Sequence, residues 1–443
     1  MTLLLDFVYL LIVLVGLPYA AYKTLTSERF RAGWRNRFGL VPDLEPGFRI
    51  WVHCASVGEV LLVRTLVPRL EQAYPQADVV ISTNTNTGME TAKQTFPGHT
   101  VFYFPLDFSP VVRRVFRRIK PSVVVLVELE LWPNFLALAR RRDVPVVVVN
   151  GRVTDRSVRA YRWFGPLARP MFASLAHAAV QNADYAARFD RLGVPPGRVT
   201  VTGTMKYDAV ATAVAAGLVD EYRRKLKLDS GDTVIIGGCT HPGEDTSLID
   251  YVKRRPEAGL RLVLVPRHRE RAGEVERLIR SAGLAPVRKT AIDRAEAPAD
   301  FDRRPHVILV DTTGELADLY AVATLVFVGG SLVEHGGQNM IEPAALGKAV
   351  IVGPHTWNFR DTVRLLASAD GIVQVDNADE LGAALDRLAA DPEVRAELGR
   401  NARRAVLDAQ GATERNFGAI RPVLDAARDR AAEIAERKET LDE

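Results

Sequence analysis

The side chains able to do acid–base or phosphate chemistry sit in short polar segments, each of which follows an apolar run. In His53-Cys54-Ala55-Ser56-Val57-Gly58-Glu59, Ser56 and Glu59 have the spacing of a capping box, hydroxyl and carboxylate each answering a free backbone N–H. The same carboxylate is equally placed to take a proton as a general base, and spacing leaves both roles open. Thr83-Asn84-Thr85-Asn86-Thr87-Gly88 is rich in hydroxyls and amides and precedes a helix; it suits a sugar or phosphate, or simply caps that helix. In Glu128-Leu129-Glu130-Leu131-Trp132-Pro133-Asn134 the two glutamates share a face while the chain stays extended. Carboxylates leaving a buried run are costly unless paired or functional, and Asn150-Gly151-Arg152 offers a guanidinium as partner.

The second half repeats the theme. Gly237-Gly238-Cys239-Thr240-His241-Pro242-Gly243-Glu244 allows close backbone approach, and the helix start after it favours an anion. It is not G-x-G-x-x-G, so a nicotinamide dinucleotide is not implied. Cys239 and His241 find no third ligand in the sequence, and no metal is expected. Arg267, in Pro266-Arg267-His268, ends a purely apolar run and suits a bidentate phosphate or carboxylate contact. Four glycines (329, 330, 336 and 337) crowd one connection, Val328 to Ala344, which implies unusual backbone or close approach to a ligand. There Glu342 either complements the helix dipole or clamps ribose hydroxyls while backbone amides hold a phosphate; the glycine density favours binding. Gly353-Pro354-His355-Thr356-Trp357-Asn358-Phe359 adds polar and aromatic groups.

These segments need a frame. A chain of 443 residues exceeds what one core usually supports, so two domains are expected. Strands are expected at 49–56, 78–83, 101–104, 123–127, 144–150, 178–181 and 199–202. A second set is expected at 233–237, 260–265, 307–310, 325–328, 349–352 and 372–375. β-branched runs alternating with helical stretches mean parallel sheets covered on both faces. The boundary is placed between about Met205 and Leu228. Two distant cysteines, Cys54 and Cys239, argue against a disulfide framework and for a reducing compartment.

From Thr2 to Ala21 the chain is almost wholly apolar, at the low edge of what spans a hydrocarbon core of ~30 Å. Positive charge follows it, at Lys23, Arg29, Arg31, Arg35 and Arg37, rather than preceding it as in a cleaved signal. That order predicts a membrane anchor, spanning or deeply inserted, with the rest of the chain cytoplasmic. The arginines would face lipid phosphates. A second basic group, Arg113, Arg114, Arg117, Arg118 and Lys120, is as consistent with a solvated helix face. No recognition motif accompanies either group, so nucleic acid is not an expected partner.

Taken together and in order, the segments from H-C-A-S-V-G-E through E-L-E-L-W-P-N, N-G-R, G-T-M-K-Y-D (Gly203–Asp208), T-H-P-G-E, P-R-H and G-G-Q-N-M-I-E-P-A to G-P-H-T-W-N-F resemble the 3-deoxy-D-manno-octulosonic acid (Kdo) transferases. The resemblance implies an α/β GT-B fold of two facing Rossmann-like, doubly wound domains, behind an N-terminal membrane-anchor helix. The expected layout is anchor 1–25, acceptor domain 26–210, nucleotide-sugar domain 211–405, and a C-terminal helix, 406–443, packing back on the first domain. It further implies an inverting transfer from CMP-Kdo to a lipid A precursor (lipid IVA), at the inner membrane with its anionic lipids and in lipopolysaccharide synthesis, without a cofactor. Glu59 lands on the family's general base, and Glu128 and Glu130 lie near the reacting centre. Arg267, His268, Asn339 and Glu342 face the nucleotide, joined on the donor side by Thr240, His241, Gly336 and Gly337. Lys206 is the candidate partner of the Kdo carboxylate or leaving phosphate; Ser56, Gly58, Thr85, Thr87 and Arg152 fall on the acceptor side. Gln338, Pro242 and Leu129 depart from the family's more usual His, Glu and Thr. Two rival readings are a GT-B enzyme with another nucleotide sugar, such as a UDP-sugar, and a membrane-tethered, non-catalytic binding module. Nucleotide preference separates the first, and the three first-domain glutamates argue against the second.

Overall fold

The computed structural model describes residues 2–26, 33–163, 165–256, 259–298, 300–301 and 306–442. Arg29 and Arg31 of the first basic group lie outside them. The chain divides into two compact units, Met1–Ala209 with Gly411–Glu443, and Val210–Gln410.

The first unit is built on β1 (Arg49–Cys54), β2 (Asp78–Thr83), β3 (Thr100–Tyr103), β4 (Val123–Val127), β5 (Val146–Gly151), β6 (His177–Val180) and β7 (Val199–Val201), in the order β3-β2-β1-β4-β5-β6-β7. All described pairings are parallel. Strands β4 (VVVLV) and β5 (VVVVNG) are buried along their whole length, as a sheet covered on both faces requires. On one face, Trp51 packs edge-on to Phe135 at 5.2 Å, within a cluster including Phe102, Phe104 and Phe116. On the other, Phe417, Ile420, Leu424 and Ala427 of the C-terminal helix Ala412–Asp442 share a core with Ile50, Val52, Val125 and Val149. The chain's last helix is thus core of its first unit.

The second unit holds β8 (Thr233–Thr240), β9 (Leu260–Pro266), β10 (Ala285–Arg288), β11 (His306–Leu309), β12 (Leu325–Val328), β13 (Ala349–Val352) and β14 (Val373–Gln374), in the order β10-β11-β9-β8-β12-β13-β14. Every described pairing is again parallel. Two elements differ from expectation. Strand β10 was not foreseen, because its four residues include Pro286, which only an edge strand tolerates. Strand β8 runs on through Gly237 and Gly238 to Thr240. A Cβ at Gly238 would stand 2.1 Å from the Tyr320 hydroxyl, so these glycines serve packing as well as turning.

Thr2–Thr26 forms one helix, and among the described residues no helix is long and apolar enough to cross a membrane. It is tied down by polar contacts. Asp6 accepts from the Ser109 N–H (3.0 Å) and the Asn134 amide (2.9 Å), and the Tyr9 hydroxyl donates to Asp107 (3.2 Å). Phe7, Leu10, Leu11, Leu14, Val15, Tyr22 and Leu25 remain exposed. The second basic group proves largely structural: Arg114, Arg118 and Lys120 donate to the carbonyls of Phe38, Val41 and Leu44.

Candidate active site

In each unit the strand order reverses beside the first strand, between β1 and β4 and between β8 and β12. Ligands of open α/β sheets bind beyond the carboxyl ends of the strands at such a point. The segments that follow these four strands hold Ser56, Gly58, Glu59, Glu128, Glu130, His241, Gly336, Gly337, Asn339 and Glu342; Thr240 ends β8, and the remaining candidates follow β2, β5, β7 and β9.

In the first unit, Glu59 lies in the opening turn of helix Val57–Leu62. Its carboxylate accepts from the Ala55 N–H (2.8 Å) and the Ser56 hydroxyl (3.1 Å). This is half a capping box: the glutamate reaches back to the backbone, but Ser56 turns to the carboxylate and accepts no helix N–H. Burial pushes the Glu59 carboxyl up to about 8, with the charges of Glu128 and Glu130 adding to the rise and both hydrogen bonds opposing it. Gly58 is exposed beside it. His53, by contrast, is wholly buried, stacked on Phe104 at 4.0 Å and lowered to about 3 by burial; it is a neutral core side chain.

Glu128 and Glu130 do not share an extended face. Strand β4 ends at Val127, and Glu128 turns left-handed, with φ of 58°. Glu130 accepts from the Trp132 indole (3.0 Å) and the Asn84 amide (3.3 Å), and burial raises its carboxyl. Among the described residues no ion pair joins Arg152 to either glutamate, and Glu130 meets neutral donors in place of a guanidinium. Thr85 caps helix Asn86–Thr95, accepting from the Gly88 N–H at 3.0 Å, while Thr87 is exposed in its first turn. Arg37 is turned inward, donating to the Asn84 carbonyl and lying over the Tyr103 ring at 4.9 Å, so it is not a headgroup contact.

Asn150 also stands left-handed, with φ of 52°. Its N–H donates to Asn416 of the C-terminal helix (2.8 Å), its side-chain oxygen accepts from the Met205 N–H (3.0 Å), and its carbonyl accepts from Gln181 (3.0 Å). Most of G-T-M-K-Y-D is a seat for that returning helix. Met205 is buried beneath it, and Asp208 accepts from the Gly411 N–H (2.7 Å) and the Thr413 N–H. Lys206 is half-buried within this segment.

In the second unit, His241 stacks on His335 at 4.1 Å, with His268 edge-on at 6.2 Å. Burial first, then these histidines, Arg271 and Arg267, hold His241 down at about 4. Gln338 reaches the His241 ring at 3.5 Å. Arg267 and His268 are exposed at the end of β9, and burial pushes the Cys239 thiol up while the Arg267 charge opposes the rise. Cys239 is itself left-handed, with φ of 54°. Thr240 is fully buried and donates to Asp245, so it supports the site from below. Asn339 donates to Glu342 (2.9 Å) and accepts from the Ile341 N–H (3.1 Å). Gly336 and Gly337 have φ of 86° and 79°, and a Cβ at Gly336 would meet Trp357 at 2.5 Å.

Three of the glycine-rich amides expected to hold a phosphate are already engaged. Those of Gly330, Ser331 and Leu332 bond the carboxylate of Glu244. In the sequence Glu244 stands only as part of a motif. At the end of β11, a strand end outside the motifs above, Thr312 carries a buried hydroxyl with no partner; Thr83 Oγ1 and Asn150 Nδ2 in the first unit are likewise buried without one. Buried polar atoms are nearly always paired, and these three lie at or just past carboxyl ends of strands. The signal for the β11 end was present, an apolar V-I-L-V run leading to Asp311-Thr312-Thr313-Gly314. Among the described residues no three Asp, Glu, His or Cys side chains gather as a metal site.

The family profile described as 3-deoxy-D-manno-octulosonic-acid transferase (kdotransferase) matches residues 32–209, and that of glycosyl transferases group 1 matches residues 300–405. A 3-deoxy-D-manno-octulosonic acid transferase of Haemophilus influenzae is 33% identical over 418 residues, covering 92% of this chain and 95% of its own. One of Bordetella pertussis is 32% identical over 389 residues, covering 84% of this chain and 86% of its own. Among solved structures, a glycosyltransferase from Rickettsia africae superposes with a TM-score of 0.57 at 10% identity, covering 86% of this chain and 98% of that one. At that identity the likeness shows the fold, two parallel-sheet α/β domains of GT-B type.

Proposed function

The chain belongs to the 3-deoxy-D-manno-octulosonic acid transferase family, and on that premise we propose that it moves Kdo from CMP-Kdo to a lipid A precursor in lipopolysaccharide synthesis, with inversion. The observation that carries the chemistry is Glu59, a carboxyl pushed up to about 8 by burial and neighbouring carboxylates yet held by two hydrogen bonds. A base whose conjugate acid lies near the working pH gives the best compromise between correct protonation and driving force. The acceptor hydroxyl oxygen bonds the anomeric carbon as the bond from that carbon to the CMP phosphate breaks. Glu59 takes the hydroxyl proton, and CMP leaves with the electron pair.

Arg267, His268 and the Gly336-Gly337 turn hold the departing phosphate; the amides of residues 330–332, engaged by Glu244, do not. Asn339 and Glu342 face the ribose, and Lys206 neutralises the Kdo carboxylate. Protein cations and dipoles supply the charge stabilisation, so the reaction as proposed uses no cofactor. The N-terminal helix attaches the enzyme to the inner membrane with its catalytic units on the cytoplasmic side. The acceptor's acyl chains then stay in the bilayer beside the site.

The test is transfer from CMP-Kdo to purified lipid A precursor without added divalent metal, comparing the wild type with Glu59→Ala. Product from the wild type and almost none from a folded variant supports both donor and base. Product from both reduces Glu59 to a helix cap, and product from neither refutes this donor–acceptor pair.

A further inference from the structure

Glu244 is 1% exposed, yet among the described residues no ion pair reaches its carboxylate. Instead Oε2 accepts from the backbone N–H of His241 (2.9 Å) and Gly330 (2.7 Å), and Oε1 from those of Ser331 and Leu332, both at 2.9 Å. Successive backbone N–H groups converging in this way make the kind of nest that elsewhere receives a phosphate. Here the anion is built in. It joins the end of β8 to the connection leaving β12, where a Cβ at Gly329 would lie 2.4 Å from the Cys239 carbonyl. From that pinned point the loop continues to the donor side: the Gly337 N–H donates to the Gly330 carbonyl (2.7 Å), and His335 stacks on His241.

We propose that Glu244 is a positioning residue for the nucleotide donor, an internal anion that holds the 330–337 loop in its donor-binding shape before any ligand arrives. The donor part rests on the reading above; the nest itself does not. Each oxygen takes two N–H groups, so Glu244→Gln would press an amide NH₂ against two donors. Glu244→Ala empties the nest without adding a wrong partner, and a small carboxylate can then refill it.

The experiment uses the full chain and formate as probe, with chloride at equal ionic strength as control. Formate is expected to raise the thermal unfolding midpoint of Glu244→Ala and leave that of the wild type unmoved. In steady-state transfer, the KM for CMP-Kdo should rise about tenfold or more in Glu244→Ala with kcat changed only a few-fold, and formate should restore it. A variant blind to formate in unfolding overturns the nest, whatever the donor proves to be. A fall in kcat at unchanged KM, with the formate shift intact, overturns the positioning role alone. Should Glu244→Ala fail to fold, Glu244→Asp carries the test, since its carboxylate is drawn back by one methylene. An elevated KM supports the proposal, and an unchanged one overturns it.

Discussion

Glu59 shows how one side chain can be cap and base at once. Its bond to the Ala55 N–H fixes the carboxylate, while burial and the charges of Glu128 and Glu130 keep its proton affinity high. Glu59→Gln keeps an acceptor for that N–H but cannot take a proton, and its turnover should fall ~10²–10⁴-fold. For the wild type, kcat/KM should climb with pH, reach half its limit near pH 8 and level off above it, as the base form accumulates. The stability effect has the opposite sign. A carboxyl raised from 4.5 to about 8 on folding binds more protons folded than unfolded between those values, so its contribution to stability falls as pH rises through that window. Glu59→Gln should therefore gain on the wild type in urea unfolding as pH rises from about 5 to 8; a midpoint difference between the two proteins that is the same at pH 5 and pH 9 would refute the raised value. The Ser56/Glu59 spacing was legible in sequence, but the environment that separates base from cap was not. Nor was the left-handed turn at Glu128, Asn150 and Cys239, since only tertiary bonds over-determine such a conformation.

At the scale of elements, alternating β-branched runs placed thirteen of the fourteen strands among the described residues, because a strand buried on both faces must be written almost wholly in apolar residues. Glycine carries two kinds of demand. Density around 329–337 read as a ligand loop, and the structure shows left-handed turning there at Gly330, Gly336 and Gly337. Gly238 and Gly329 instead let backbone and Tyr320 pass at contact distance, which no local pattern announces. Gly238→Ala should destabilise the second unit by about 1–3 kcal/mol through overpacking against Tyr320. The C-terminal helix makes a matching prediction for the first unit. Phe417→Ala should cost ~3–5 kcal/mol as a core truncation. Asn416→Ala, which strands the buried Asn150 N–H, should cost ~1–3 kcal/mol. Urea midpoints check all three, and a neutral Phe417→Ala would remove that helix from the core.

Over the whole molecule, the two ends of the chain both belong to the first unit, and the N-terminal helix carries a row of exposed apolar side chains. Asp6 and Tyr9 bind it to the protein, while Val15 and Leu25, 84% and 80% exposed, belong to an apolar row on its other side. Residues 7, 11, 14, 15, 18, 22 and 25 recur at helical spacing, so the row is continuous. With polar contacts to the protein at Asp6 and Tyr9 and an apolar row on the other side, the helix fits the form of an in-plane membrane contact, and we propose that it attaches in this way. The proposed attachment is then in-plane, and its strength should follow the apolar row more than salt, since Arg37 is turned away from any headgroup. Replacing Leu14 and Val15 together by Glu should release the chain from vesicles of inner-membrane lipid composition. Transfer to a vesicle-borne acceptor should fall with it, while transfer to the same acceptor dispersed in detergent should not. Release by 0.5 M salt from the unsubstituted chain would instead assign the attachment to the basic residues. Retention of the double variant on vesicles at low and high salt would refute the row as the contact.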